Sequence, residues 1–133
     1  MVAPLKLAIT GATGFVGQRL VDLALAAGHD VRALARRPQP DRKGLTWIEG
    51  ALDKPDSLDQ LVEGADAVIH VAGVINAPDP AGFEVANVTG TSAVLAAAEK
   101  AGAGRFVHVS SLAAREPKLS AYGASKAGSE SVV

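Results

Sequence analysis

Thr10-Gly-Ala-Thr-Gly-Phe-Val-Gly17 is the stretch that decides how this chain folds. The apolar run ahead of it, residues 5–10, reads as a buried strand, and residues 15–27 behind it as a helix closed by Gly28. Gly11 permits the tight turn between them. Gly14 lets the backbone amides around Thr13, Phe15 and Val16 approach a pyrophosphate at the helix N-terminus, and Gly17 lets the helix lie close on the strand. A glycine-rich turn that binds nothing is the bland alternative. The position of the motif, between the first strand and the first helix, favours a bound dinucleotide.

Beyond this turn, apolar runs alternate with helical patterns, which predicts β-α-β units and a parallel sheet. Strands are expected over 31–35, 46–49, 67–71 and 105–110. Helices are expected over a short segment capped by Asp53 with Pro55 in its first turn and ending at Gly64, over 83–101, and from about Ala121 onward. Residues 38–44, 76–82 and 113–120 read as connections. The fold class is therefore α/β, a three-layer doubly wound sheet with strand order 3-2-1-4-5 and one domain over 1–133. The consecutive apolar residues Ala93 to Ala98 give the 83–101 helix a second apolar side, which suggests another helix or a homodimer partner against it.

Composition narrows the classes. Hydrophobic residues make up 48% and charged residues 20% of the 133, enough to bury a core and too apolar for disorder. Aromatic residues are only 4%, so the core is built from Ala, Val and Leu. A net charge of −1 with scattered Lys and Arg points away from a nucleic-acid or membrane surface. The chain has no cysteine, which excludes disulfides and thiolate metal sites, and its three histidines lack ligand spacing, so no metal is expected. No apolar stretch is long enough for a membrane span and no signal peptide is legible, which makes a cytoplasmic protein the default.

Tyr122-Gly-Ala-Ser-Lys126 carries the chemistry. Four residues apart on a helix, the two side chains lie about 40° apart around the axis. An ammonium beside a phenol favours the phenolate, which gives a proton donor and acceptor able to work near neutral pH. Alone, the spacing is weak. With the glycine turn, His70-Val-Ala-Gly73, Asn87-Val-Thr-Gly-Thr91 and Phe106-Val-His-Val-Ser-Ser111 standing in order ahead of it, the chain resembles the short-chain dehydrogenase/reductase superfamily, in its extended or atypical NAD-dependent epimerase/dehydratase-like branch. The resemblance covers essentially the whole chain.

That resemblance implies roles. Tyr122 is the general acid/base, Lys126 steadies its ionised form and holds the nicotinamide ribose, and Ser111 (with Ser110 as fallback) hydrogen-bonds the substrate oxygen. Asn87 helps organise the lysine and solvent, and Val71, Ala72 and Gly73 line the nicotinamide side. The family often has an aspartate for the adenine after its third strand. Here Ala51 stands in that place, leaving Leu52 and backbone groups beneath the adenine and Asp53 as a helix cap. Relatives of this kind continue well beyond the Tyr/Lys helix, whereas this sequence stops at Val133, so a C-terminally truncated form or a fragment lacking the substrate-binding part is expected, with the fifth strand left as an open edge.

The end of the second strand bears on the cofactor. A carboxylate there would grip the adenosine ribose diol, but Ala35 takes its place and Arg36 and Arg37 follow. Guanidinium groups suit a 2′-phosphate, so NADP(H) is expected over NAD(H). The function expected is an NAD(P)-dependent oxidoreductase or epimerase/dehydratase-like enzyme acting on an alcohol or carbonyl carbon of a small-molecule substrate. A nucleotide-sugar epimerase, a flavonol-type reductase and a steroid-type dehydrogenase stay open. The alternative is an NADP-binding sensor or assembly module without turnover.

Overall fold

Strands covered by helices on both faces should be apolar without alternation, and the central strands are. In a computed structural model, which describes residues 3–72, 84–115, 117–118 and 120–133, Leu7, Ala8, Ile9 and Thr10 of β1 (Lys6–Thr10) are all buried. So are Val31, Ala33, Leu34 and Ala35 of β2 (Asp30–Ala35). With β3 (Leu45–Glu49), β4 (Ala67–His70) and β5 (Arg105–His108) they form one parallel sheet in the order β3-β2-β1-β4-β5. Leu7 pairs with Val31 on one side and Ala67 on the other, and Thr10 stands level with His70. The strand order reverses between β1 and β4, so the carboxyl ends of these two strands mark the switch point of the sheet.

One face carries α1 (Phe15–Ala26), whose Val21 and Ala24 pack with Ile9, Val31 and Ala33. The other carries α2 (Pro55–Val62) and α3 (Gly90–Ala101), whose Leu58, Leu61, Val94 and Ala98 pack with Ala8, Leu34 and Val68. α4 (Ala121–Val132) packs beside α3. β5 pairs with β4 alone among the described residues, and Val107 on it is exposed.

Two expectations shift. Asp53 does not cap α2: Pro55 disfavours helical geometry in the residue before it, so Lys54 is extended (φ −118°, ψ 91°) and becomes the N-cap position, without a side-chain bond. Ser57 secures this corner instead, its Oγ accepting from the Ala51 amide (3.2 Å) and donating to the Lys54 carbonyl (2.7 Å). The long helix is likewise not uniform. Within the described residues it begins as a π-helical turn, Glu84–Thr89, and becomes α-helical at Gly90; Phe83 and the 76–82 loop lie outside them. The second side of α3 meets helices of its own chain, α2 and α4, with Lys100 3.6 Å from Asp59 of α2.

Candidate functional site

The glycine turn is held by sterics at two of its three glycines. Gly11 has φ +73°, and a Cβ there would stand 2.6 Å from the Ala72 nitrogen. A Cβ on Gly17 would lie 1.8 Å from the Gly11 carbonyl oxygen, so only glycine lets α1 sit this close to the turn. Gly14 is different: the nearest atom to its Cβ position is 3.5 Å away, so the protein itself leaves that side open. The first α-helical bond of α1 is Gln18 N–H to the Gly14 carbonyl (2.9 Å), which leaves the amides of Phe15, Val16 and Gly17 without a partner in the helix. With Phe15 and Val16 exposed, this helix mouth fits a dinucleotide pyrophosphate.

The end of β4 lies against the same turn. Thr10 Oγ1 accepts from the amides of Val71 and Ala72 (both 3.1 Å) and lies 2.7 Å from Nδ1 of the fully buried His70. Val71 and Ala72, expected on the nicotinamide side, are thereby fixed beside Gly11; Gly73 lies outside the described residues. Leu52 is half-buried against the Leu34 cluster, and Arg36 and Arg37 are exposed at the end of β2.

The Tyr122/Lys126 helix is started by Ser120, whose Oγ accepts from the Gly123 amide (2.8 Å). Lys126 is buried, and its Nζ donates to the Val109 carbonyl (3.1 Å), which ties α4 to the end of β5 just before Ser110 and Ser111. Burial holds the Lys126 ammonium below the usual lysine range, opposed by Glu130. Asn87, buried in the π-helical turn, donates from Nδ2 to Ser125 Oγ (2.9 Å), and that hydroxyl donates to the Tyr122 carbonyl (2.7 Å). Asn87, Lys126 and the end of β5 thus converge, with Tyr122 one turn before Lys126 and Ser111 half-buried. Ser110 Oγ is buried and has no hydrogen-bond partner among the described residues.

The residues missed in the sequence are the polar ones underneath. His70 Nε2 is 3.0 Å from Thr91 Oγ1, which donates to the Asn87 carbonyl (2.7 Å). His108 stacks on His70 with ring centroids 5.6 Å apart, and its Nε2 reaches Ser129 Oγ (2.9 Å). Burial, with His108 and then Lys126 adding to it, pushes His70 down to about 3 from 6.5. His108 is lowered by burial and by Lys126, against Glu130. The signal available was the placement of Thr10, His70 and Thr91 inside otherwise apolar segments. Among the described residues no cluster of His, Asp or Glu could hold a metal ion, and no helix is long and apolar enough to cross a membrane.

The model of the NAD dependent epimerase/dehydratase family matches residues 7–133. The chain belongs to this family. A ceramide reductase of Caulobacter vibrioides is 48% identical over 130 residues, covering 95% of this chain and 41% of that protein. A 3-beta-hydroxysteroid dehydrogenase of Mycolicibacterium neoaurum is 33% identical over 117 residues, 80% of this chain and 32% of that one. Among solved structures, a short-chain dehydrogenase/reductase superfamily protein of Agrobacterium tumefaciens with bound NAD superposes with a TM-score of 0.85 at 28% identity, over 96% of this chain and 43% of that one. The Bordetella bronchiseptica enzyme WbmH in complex with NAD+ gives 0.85 at 27%, over 98% and 52%. This epimerase/dehydratase-family chain therefore spans about half or less of the length of these relatives.

The expected preference for NADP(H) is overturned. The superposing structures hold NAD. The expectation rested on charge alone: Arg36 and Arg37 are exposed at the end of β2, and an exposed guanidinium does not by itself make a phosphate site. Ala35, in the usual place of the acid, is buried in the sheet.

Proposed function

We propose that residues 1–133 form the dinucleotide-binding domain of an NAD(H)-dependent oxidoreductase that interconverts an alcohol and a carbonyl on a small-molecule substrate. The observation that carries this reading is the Lys126 Nζ bond to the Val109 carbonyl, because it sets the Tyr122 helix against the segment that leads from β5 to Ser111. The reductase and dehydrogenase named among the relatives support alcohol/carbonyl chemistry. Gly11, Gly14 and Gly17 with the first-turn amides hold the pyrophosphate, Leu52 underlies the adenine, and Val71 and Ala72 flank the nicotinamide. When bound, the nicotinamide supplies or accepts the hydride.

The chain's own groups handle the proton. In the reducing direction the Tyr122 hydroxyl gives its proton to the carbonyl oxygen, and Ser111 donates a hydrogen bond to that oxygen as charge develops on it. Lys126 steadies the phenolate left behind, and Asn87, through Ser125, holds the turn that carries both. Titration of this chain with NADH, followed by nicotinamide fluorescence, should saturate, and should do so at lower concentration than with NADPH. In the protein as it occurs in the cell, Tyr122→Phe should keep NADH affinity and lose turnover by about 10²- to 10⁴-fold. No NADH response removes the site, and unchanged turnover removes Tyr122 from the mechanism.

Two finer points belong to the same proposal. A homodimer through the 83–101 helix would have to use its outer side, where Ser92 and Ala96 are exposed, and sedimentation of the native protein would decide it. A cytoplasmic location would be read from cell fractionation.

A further inference from the structure

We propose that His70 is a positioning residue that couples the dinucleotide turn to the Tyr122 helix through a one-way chain of hydrogen bonds set by its Nε2–H tautomer. The inference rests on the roles proposed above for Tyr122 and Lys126, and its direction can be worked out from both ends. Thr10 Oγ1 spends its two lone pairs on the amides of Val71 and Ala72, so its proton has only Nδ1 of His70 to go to, 2.7 Å away. Nδ1 is therefore an acceptor and the ring proton sits on Nε2. At the other end Thr91 donates to the Asn87 carbonyl, which can only accept, so Thr91 Oγ1 must receive its bond from Nε2, 3.0 Å away. Each end of the ring by itself fixes the same tautomer.

The chain continues in the same sense. Asn87 Nδ2 donates to Ser125 Oγ, and Ser125 donates to the Tyr122 carbonyl. One buried imidazole thus joins the backbone at Val71 and Ala72, pinned beside Gly11, to the first turn of α4. A proton added at Nδ1 would face an oxygen with no lone pair left, and the other tautomer would break bonds at both ends. The depressed basicity of the ring agrees with this.

Two measurements test the coupling. In protein labelled with ¹⁵N at its three histidines, ring spectra from about pH 5.5 to 8 should show one imidazole protonated on Nε2 alone that does not titrate; the range follows from the ordinary histidine value. An Nδ1–H ring at His70, or one titrating near its free value, overturns the proposal. The second measurement splits the two ends. His70→Asn places an amide oxygen near the Nδ1 position, so it should keep NADH affinity and lower kcat about tenfold, the worth of one buried hydrogen bond. His70→Gln reaches the Nε2 position, so it should weaken NADH binding about tenfold and spare kcat more. Equal changes in both constants for both variants, or none, would make His70 a packing residue and refute the coupling. Wild-type protein that binds no NADH would refute the function proposed above, and the ring spectra would still decide the tautomer on which the coupling depends.

Discussion

Acid should destabilise this fold through His70 by an amount the structure sets. The ring is fully buried and its folded value is about 3, against 6.5 when free. Because the folded value is the lower one, the unfolded chain takes up the proton first. Stability is therefore full above pH 6.5 and falls as the pH drops towards 3. Between neutrality and pH 5 the unfolded ring gains a proton over about 1.5 pH units, at about 1.4 kcal/mol each, so the loss is about 2 kcal/mol. The groups around the ring reinforce the sign. Thr10 and Thr91 hold its nitrogens, Phe106 and His108 of β5 lie against it, and His108 and Lys126 are the titratable neighbours that oppose a charge on it. Glu130 partly offsets the lowering of His108 and Lys126.

Urea unfolding followed by the single tryptophan, Trp47, at pH 7 and pH 5 would measure the effect in wild type and in His70→Asn. Groups away from the ring are common to both proteins and largely cancel in the difference, whereas His108, in contact with it, belongs to the effect. The advantage of wild type over the variant should shrink by about 2 kcal/mol between the two pH values. A difference that stays constant to within about 0.5 kcal/mol would refute the buried, neutral ring.

Gly17→Ala should cost about 3 kcal/mol in urea unfolding, because its Cβ would overlap the Gly11 carbonyl; a loss under about 0.5 kcal/mol would contradict the close packing of α1. Gly14→Ala, with 3.5 Å of room, should leave stability within about 0.5 kcal/mol yet weaken NADH binding about tenfold or more, and unaltered binding would move the pyrophosphate elsewhere. Arg36→Ala should change NADH affinity less than about fivefold, since the side chain is a solvated surface charge; a larger drop in fluorescence titration would show a contact the exposed position does not suggest. Lys126→Met removes a cation that burial disfavours but also the bond to the Val109 carbonyl, so the melting temperature should fall by only a few degrees while turnover in the native protein falls by about 10² or more.

The elements that sequence made legible are those governed by local rules. The strand-turn-helix at residues 6–26 follows from glycine sterics and apolar runs, and the strand order follows from the alternation of elements. The cap of α2 was misread because Pro55 moves the helix start past Asp53, a one-residue effect that an N-cap preference does not register. The π-helical turn at Glu84–Thr89 was not legible either. Its Asn87 bonds Ser125, 38 residues away in sequence, a contact that no local pattern registers. Cofactor choice failed for a related reason: Arg36 and Arg37 were read for charge, and an exposed charge does not by itself define a site.

The same limit explains why the histidines looked inert. Without a metal-ligand spacing, His70 and His108 offered only burial, and burial alone says nothing about which way a hydrogen bond points. Direction comes from neighbours that are distant in sequence: two amides that consume the lone pairs of Thr10, and one carbonyl that consumes the proton of Thr91. A core rich in Ala and Val packs smoothly and sets the sliding position of a helix on a sheet only weakly. A buried polar chain with one consistent direction sets it sharply, because a shift of any member leaves a donor or acceptor unpaired at a cost of about 1–3 kcal/mol. In this fold such a chain runs from the turn that would hold the pyrophosphate to the helix that carries Tyr122 and Lys126. The precision of the site then comes from Thr10, His70, Thr91 and Ser125 below it as much as from the residues that line it.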